Sequence, residues 1–147
     1  MNTVLLANLI KIRWIAILGQ LITLFTIFFV FNFTIPLTEC LFVVLLSILV
    51  NFSSYFIQKG NSTLTDKKTF LFLLFDISQL VGLLFLTGGV FNPFVVLILA
   101  PIIISASYLS ALWTILLSLY SILLILIINF NYIPLNWEQN FITPTIY

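Results

Sequence analysis

Apolar residues run almost continuously along this chain, and short polar or glycine- and proline-containing breaks divide them into long segments. A helix needs roughly 20 mainly apolar residues to cross a bilayer. The breaks predict membrane-spanning helices over residues 14–32, 37–57, 69–87, 92–109 and 111–128. Residues 1–13 and 58–68 then lie on one side of the membrane, and the turn 88–91 and the polar segment 129–147 on the other. The pattern therefore predicts an all-α, polytopic transmembrane helix bundle with five spans.

The basic residues are distributed asymmetrically about these spans. All of them fall on the side of the N-terminus: Lys11, Arg13, Lys59, Lys67 and Lys68. The opposite side has Glu39 and Glu138 and no basic residue. Because Lys and Arg concentrate in cytoplasmic loops, we expect the N-terminus in the cytoplasm and the turn 88–91 on the outer side. A cleaved signal peptide is disfavoured, since the first apolar run exceeds the usual 7–15 residues and no small-residue cleavage site follows it.

Composition narrows the function classes. The chain is 63% hydrophobic and 6% charged, whereas soluble domains are about 25% charged. A net charge of +1 argues against nucleic acid as a partner, which needs a clustered basic surface. With no His and only Cys40, no Cys/His metal cluster and no intrachain disulfide can form. We therefore expect no metal and no covalent chemistry from these residues.

Three predicted helices place polar side chains at one depth of the membrane. Gln20, Asn51 and Asp76 each lie seven or eight residues from a basic residue at the inner surface, or roughly 10–12 Å. Gln79 lies one turn beyond Asp76 on the same face. Such groups commonly only hold helices together, which is the favoured interpretation for Gln20 and Asn51. For Asp76 a proton or signal relay is an equal alternative, because intramembrane acids are costly. We expect Asp76 to be mostly neutral and buried toward Gln20 or Asn51.

The break from Gly88 to Phe94, with the sequence GGVFNPF, is where specific chemistry can lie. Gly88 and Gly89 can end the third helix in a left-handed cap. Asn92 is a favourable N-cap and Pro93 a favourable first residue for the fourth helix. A tight outer turn between two helices thus already accounts for the glycine, asparagine and proline residues of the break.

That explanation leaves the aromatic residues around the turn unaccounted for, namely Phe85, Phe91 and Phe94. They cluster near a helix N-terminus whose free amides can donate hydrogen bonds. Exposed backbone, a side-chain amide and several rings would suit a flat apolar ligand with carbonyl groups. A quinone that enters from the bilayer meets that description.

Four segments carry a resemblance to a known family: RWIAILGQL (Arg13–Leu21), FLFLLFDISQL (Phe70–Leu80), LTGGVFNPF (Leu86–Phe94) and LAPIIISA (Leu99–Ala106). In this order they resemble the membrane domain of the RegB/PrrB/ActS-type redox-sensing two-component histidine kinases. The resemblance implies a multi-pass protein of the bacterial inner membrane with six spans and a cytoplasmic N-terminus. It also implies a homodimer that signals to a response regulator through a kinase domain.

In that family the GGxxNPF segment lies in the second outer loop and is implicated in ubiquinone binding. The matching positions here are Gly88, Gly89, Asn92, Pro93 and Phe94. The resemblance therefore implies non-covalent ubiquinone as the ligand, and a membrane-embedded redox-sensing module as the function.

The sequence also departs from the family. The sixth span, the redox-responsive cysteine, the phospho-accepting His and the ATP-binding domain would all follow the last residue given, and Cys40 does not correspond to that cysteine. We expect a chain truncated before the kinase domain, with no kinase activity of its own. Two alternatives stay open: an inactive truncated product, and a fragment of a small-molecule permease, since transporters build sites at Gly/Pro breaks. Against the permease, the break lies at the outer surface and no inverted repeat is visible.

Overall fold

The computed structural model describes residues 6–57, 64–134 and 136–137. Within this part of the chain the α-helices are α1 Leu6–Phe25, α2 Leu37–Ile57, α3 Asp66–Leu86, α4 Leu99–Tyr108 and α5 Ala111–Phe130. A π-helical turn, Thr26–Val30, continues α1, and two 3₁₀ segments, Gly89–Phe91 and Pro93–Ile98, lead into α4. The predicted all-α class is confirmed.

Four of the helical segments are long and apolar enough to cross a membrane: Ala7–Val30, Leu37–Phe56, Asp66–Leu86 and Ala111–Phe130. The helical segment Pro93–Tyr108 is shorter. Large apolar side chains cover the outside of the bundle, such as Ile15 at 71% exposure and Phe130 at 80%. An exposed apolar surface of this kind is suited to lipid rather than water. The chain is a polytopic transmembrane helix bundle.

Two of the helices begin earlier than the sequence pattern indicates. The first helix starts at Leu6 rather than at residue 14, so Lys11 and Arg13 lie inside it. The third starts at Asp66 rather than at residue 69, which places an acidic side chain in its first turn, where the helix dipole favours it. Residues 58–63 and 138–147, parts of the two predicted loop segments, lie outside the described residues.

The third helix is the centre of the bundle. It packs against α2 on one side and against α4 and α5 on the other, while α1 packs against α2. One buried cluster joins α3 to α5 and to the 3₁₀ segment before α4, and includes Leu73, Ile77, Ile98 and Leu117. A second cluster joins α1 to α2 and includes Ile17 and Val44. The long polar side chains of α1 and α3 contact each other inside the bundle.

A short pair of strands lies beside the helix ends. β1, Phe33–Thr34, follows the first helical segment, and β2, Asn136–Trp137, follows α5. They pair antiparallel, with Phe33 opposite Trp137 and Thr34 opposite Asn136. Because the helices alternate in direction, this pair lies at the same end of the bundle as the turn between α3 and α4.

Candidate functional site

The turn after α3 has the backbone conformation that its sequence predicts. Gly88 has φ of 103° and Gly89 has φ of 61°, both in the left-handed region that favours glycine. Asn92 is the N-cap of the following 3₁₀ segment, and Pro93 is the first residue of that segment. The predicted helix cap and N-cap are confirmed.

The side chain of Asn92 is fully committed to this turn. Its Nδ2 donates to the Thr87 carbonyl at 2.9 Å and to Thr87 Oγ1 at 2.8 Å. Its Oδ1 accepts from the backbone N–H of Phe94 at 2.9 Å. With only 4% of the residue exposed, the amide ties the end of α3 to the start of the next helix.

The segment after α5 covers this turn, which the sequence analysis did not anticipate. The backbone N–H of Ile133 donates to the carbonyl of Phe85 at 2.8 Å. The Tyr132 ring lies 5.8 Å from the Phe91 ring, centroid to centroid. A Cβ on Gly89 would lie 2.6 Å from Tyr132 Cγ, so only glycine fits there without a shift. No local pattern identifies Tyr132, because its contacts are with residues more than 40 positions earlier in the chain.

Deeper in the bundle, Asp76 forms an ion pair with Arg13. Arg13 Nε lies 2.9 Å from Asp76 Oδ1, and the two side chains are 6% and 19% exposed. The rings of Phe72 and Phe75 lie 5.3 and 5.5 Å from the guanidinium carbon. The expectation that Asp76 is buried toward Gln20 or Asn51 was wrong. Arg13 was counted as an anchor at the membrane surface, whereas α1 carries it into the bundle as the partner of the acid.

The remaining members of the predicted polar layer form two separate contacts. Gln20 and Gln79 bond reciprocally, with Gln20 Nε2 to Gln79 Oε1 at 3.2 Å and Gln79 Nε2 to Gln20 Oε1 at 2.9 Å. Asn51 instead donates from Nδ2 to the carbonyl of Ile10 at 3.2 Å. Two polar contacts therefore connect α1 to α3, and one connects α2 to α1.

An elongated cavity of about 390 Å³ joins the turn to these polar contacts. Along α3 it is lined from Asp76 to Thr87, a distance of about 16 Å at 1.5 Å per residue. Asn92 and Phe94 line it at the turn, Gln20 and Gln79 along its length, and Arg13 beside Asp76. Its other walls are largely aliphatic side chains of α1, α3 and α4. The cavity thus has apolar walls and a few polar groups.

Comparison with known proteins supports the resemblance. No family model matches the sequence, and no solved structure matches it significantly. Among curated proteins, the sensor histidine kinase RegB of Cereibacter sphaeroides is 37% identical over 130 residues, which covers 88% of this chain. The chain is homologous to RegB-type sensor histidine kinases. The resemblance read from the four sequence segments is confirmed.

The match covers 28% of the length of the Cereibacter RegB protein. Together with the apolar helices, the homology to RegB supports a membrane sensor module of a histidine kinase in a multi-pass inner-membrane protein.

The structure separates the predicted residues of the turn and of the polar layer into two groups. Asn92 and Phe94 line the cavity, together with Gln20, Asp76 and Gln79. The cavity lining does not include Gly88, Gly89, Pro93 or Asn51. Arg13 is a charged lining residue that the sequence analysis did not count among the site residues. Its signal in the sequence was a basic residue at the edge of one apolar run and an acidic residue inside another.

Proposed function

We propose that this chain is the quinone-sensing membrane module of a two-component sensor histidine kinase, with ubiquinone bound non-covalently in the cavity between α1, α3 and α4. The observation that carries the proposal is the cavity itself. It connects Phe94 of the GGVFNPF turn to polar side chains about 16 Å away along α3. An apolar channel with polar groups placed along it suits a ligand with a flat polar head and an isoprenoid tail.

The dimensions and chemistry of the cavity support this ligand class. Its volume of about 390 Å³ falls within the roughly 300–1,000 Å³ of small-molecule sites, which are mostly apolar with few oriented polar groups. Each amide of the Gln20–Gln79 pair donates one hydrogen to the other. Since a carboxamide has two N–H donors, each retains one for a ligand oxygen.

The residues of the turn divide by role in this proposal. Phe94, 38% exposed and on the cavity wall, contacts the ligand directly. Gly88, Gly89, Asn92 and Pro93 act indirectly, because their backbone angles and hydrogen bonds hold Phe94 in place. The Asn92 amide, which has three partners within the turn, is therefore a positioning group.

Signalling follows from a difference in ligand affinity between two helix arrangements. A quinone between α1 and α3 would bias how these helices pack, and the bias would pass to a kinase domain and its response regulator. We propose that the module works as a homodimer with its N-terminus in the cytoplasm, as the basic residues indicate.

Filling the cavity tests the ligand site. Ala100 lines the cavity, whereas Ala106, on the same helix, does not. We expect Ala100→Phe to weaken saturable binding of radiolabelled short-chain ubiquinone to the full chain in phosphatidylcholine vesicles by roughly tenfold or more, about 1.4 kcal/mol. Ala106→Phe adds the same ring outside the cavity and should bind as the wild type does.

A second cavity variant guards against misfolding of the first. Gly19 lines the cavity, and a Cβ there would meet no atom within 4 Å, so Gly19→Leu adds a side chain where the first carbon has open space. Helix content by circular dichroism should match the wild type in all three variants. Wild-type affinity in both Ala100→Phe and Gly19→Leu would remove the assignment of the site.

The proposed orientation has its own test. Phe91 is 77% exposed at the turn, and Cys40 is fully buried. In a Cys40→Ser background, a cysteine at position 91 should react with a membrane-impermeant maleimide added to the periplasmic side of intact cells. Labelling only after the cytoplasmic side is made accessible would show that the turn faces the cytoplasm, which is the opposite of the proposed orientation.

A further inference from the structure

Arg13 has a hydrogen-bond donor that its ion pair does not use. The residue is 5% exposed, and its Nε is bonded to Asp76. Its Nη2 is buried and has no hydrogen-bond partner among the residues that the structure describes. A buried donor without a partner costs roughly 1–3 kcal/mol, and more when the group is charged. Since Arg13 lines the cavity, a ligand there can supply the missing acceptor.

The guanidinium is held in a fixed position. Its Nε is bound by Asp76 at 2.9 Å, and its carbon lies within 5.5 Å of the rings of Phe72 and Phe75. Guanidinium is planar, so fixing one nitrogen and the plane also fixes the direction of the others. Nη2 is thus a preorganised donor rather than a mobile one.

The charge balance of the pair indicates which ligand atom would bind. The positive charge of Arg13 is already met by Asp76, so the pair as a whole offers no net attraction to an anion. Guanidinium has five donors and no acceptor. A neutral ligand with an acceptor oxygen fits such a site better than a carboxylate or a phosphate, which would face Asp76 and mostly apolar walls.

We infer that Arg13 Nη2 donates a hydrogen bond to a carbonyl oxygen of the quinone, which places the quinone head beside the Arg13–Asp76 pair and directs the tail toward the turn. The inference rests on the proposed function and adds a binding residue to it. The head then lies about 16 Å along α3 from the turn, and Phe94 contacts the tail rather than the ring.

The test removes the donor without leaving a buried charge. The double variant Arg13→Met/Asp76→Leu replaces both members of the pair, whereas Asp76→Asn keeps the guanidinium and gives its Nε a neutral acceptor. Two quantities are measured on the full chain in vesicles: the affinity for short-chain ubiquinone and the infrared carbonyl stretch of ¹³C-carbonyl-labelled ubiquinone. A hydrogen bond from a charged donor lowers the carbonyl frequency, and such bonds are the strong ones.

We expect the bound wild type to show one carbonyl band shifted to lower frequency. The double variant should lose this shift and bind roughly tenfold more weakly, while Asp76→Asn should retain the shift. The inference is overturned if the double variant keeps both the frequency shift and the affinity for ubiquinone. It is also overturned if Asp76→Asn loses as much of the shift and the affinity as the double variant does. If Ala100→Phe still weakens binding in that case, the quinone site stands and only the role of Arg13 fails. Absence of saturable binding in the wild type would overturn both.

Discussion

Removing one member of the Arg13–Asp76 pair should destabilise the bundle more than removing both. Asp76→Leu leaves the Arg13 charge buried at 5% exposure, with two aromatic rings beside it and its carboxylate partner removed. Breaking a buried ion pair from one side costs about 3–5 kcal/mol, and the two rings place this case near the lower end, at about 3 kcal/mol. The free energy of unfolding of the double variant Arg13→Met/Asp76→Leu should lie within about 1 kcal/mol of the wild-type value, because apolar residues of similar size often replace such pairs without loss of stability.

The two single variants should also differ from each other. Arg13→Met leaves a carboxyl group, which can bind a proton and become neutral, whereas a guanidinium in a protein does not lose its proton. We therefore expect Arg13→Met to cost less than Asp76→Leu. The cavity beside Asp76 has room for the larger leucine side chain, so crowding should not obscure the comparison.

The free energy of unfolding would be measured in mixed micelles by titration with sodium dodecyl sulfate, with circular dichroism as the signal. Ile15→Met, two positions from Arg13 and 71% exposed, is the matched control and should change stability by less than about 0.5 kcal/mol. The reasoning would be refuted if the double variant lost as much stability as the two single variants summed, since the pair would then have no coupling energy.

Three further predictions concern the turn and the α3–α5 contact, all measured by the same unfolding titration. Gly89→Ala should lower the free energy of unfolding by about 2 kcal/mol or more, because φ is 61° and the new Cβ meets Tyr132. Adding Tyr132→Ala should recover only the part of this loss that comes from the steric clash. Full recovery would contradict the argument from the backbone angle. Asn92→Ala should cost about 1–2 kcal/mol through loss of the N-cap, and an unchanged midpoint would rule out that role. Tyr120→Phe removes the 2.7 Å contact with Ser78 and should cost about 0.6 kcal/mol, whereas a loss above about 2 kcal/mol would indicate a larger network.

The features that the sequence predicts well are those that depend on neighbouring residues. Continuous apolar runs between breaks locate the helices, because each helix must satisfy its own backbone in lipid. The caps at Gly88 and Asn92 follow from the backbone freedom of glycine and from the reach of a short amide. Residues a few positions apart determine both features, so one sequence suffices to read them.

The contacts that connect different helices were harder to predict. The predicted polar layer included Gln20 and Gln79, which do bond, but also Asn51, whose partner is a backbone carbonyl of α1. Depth was counted from Arg13 as though it marked the membrane surface, and that assumption concealed the partner of Asp76. Rotation about each helix axis decides such partners, and helix rotation is fixed by packing across the whole bundle.

The 3₁₀ segment Pro93–Ile98 affects how far the short helical segment reaches. A 3₁₀ helix rises about 2.0 Å per residue and an α-helix about 1.5 Å, so Pro93–Tyr108 extends about 27 Å instead of about 24 Å. The hydrocarbon core is about 30 Å thick. The tighter winding thus recovers about 3 Å of length for a segment otherwise too short for the bilayer. Rewinding it to α-helix would draw the Gly88–Asn92 corner about 3 Å nearer the Tyr108 end, a displacement larger than the roughly 1–2 Å helix shifts that accompany many allosteric transitions.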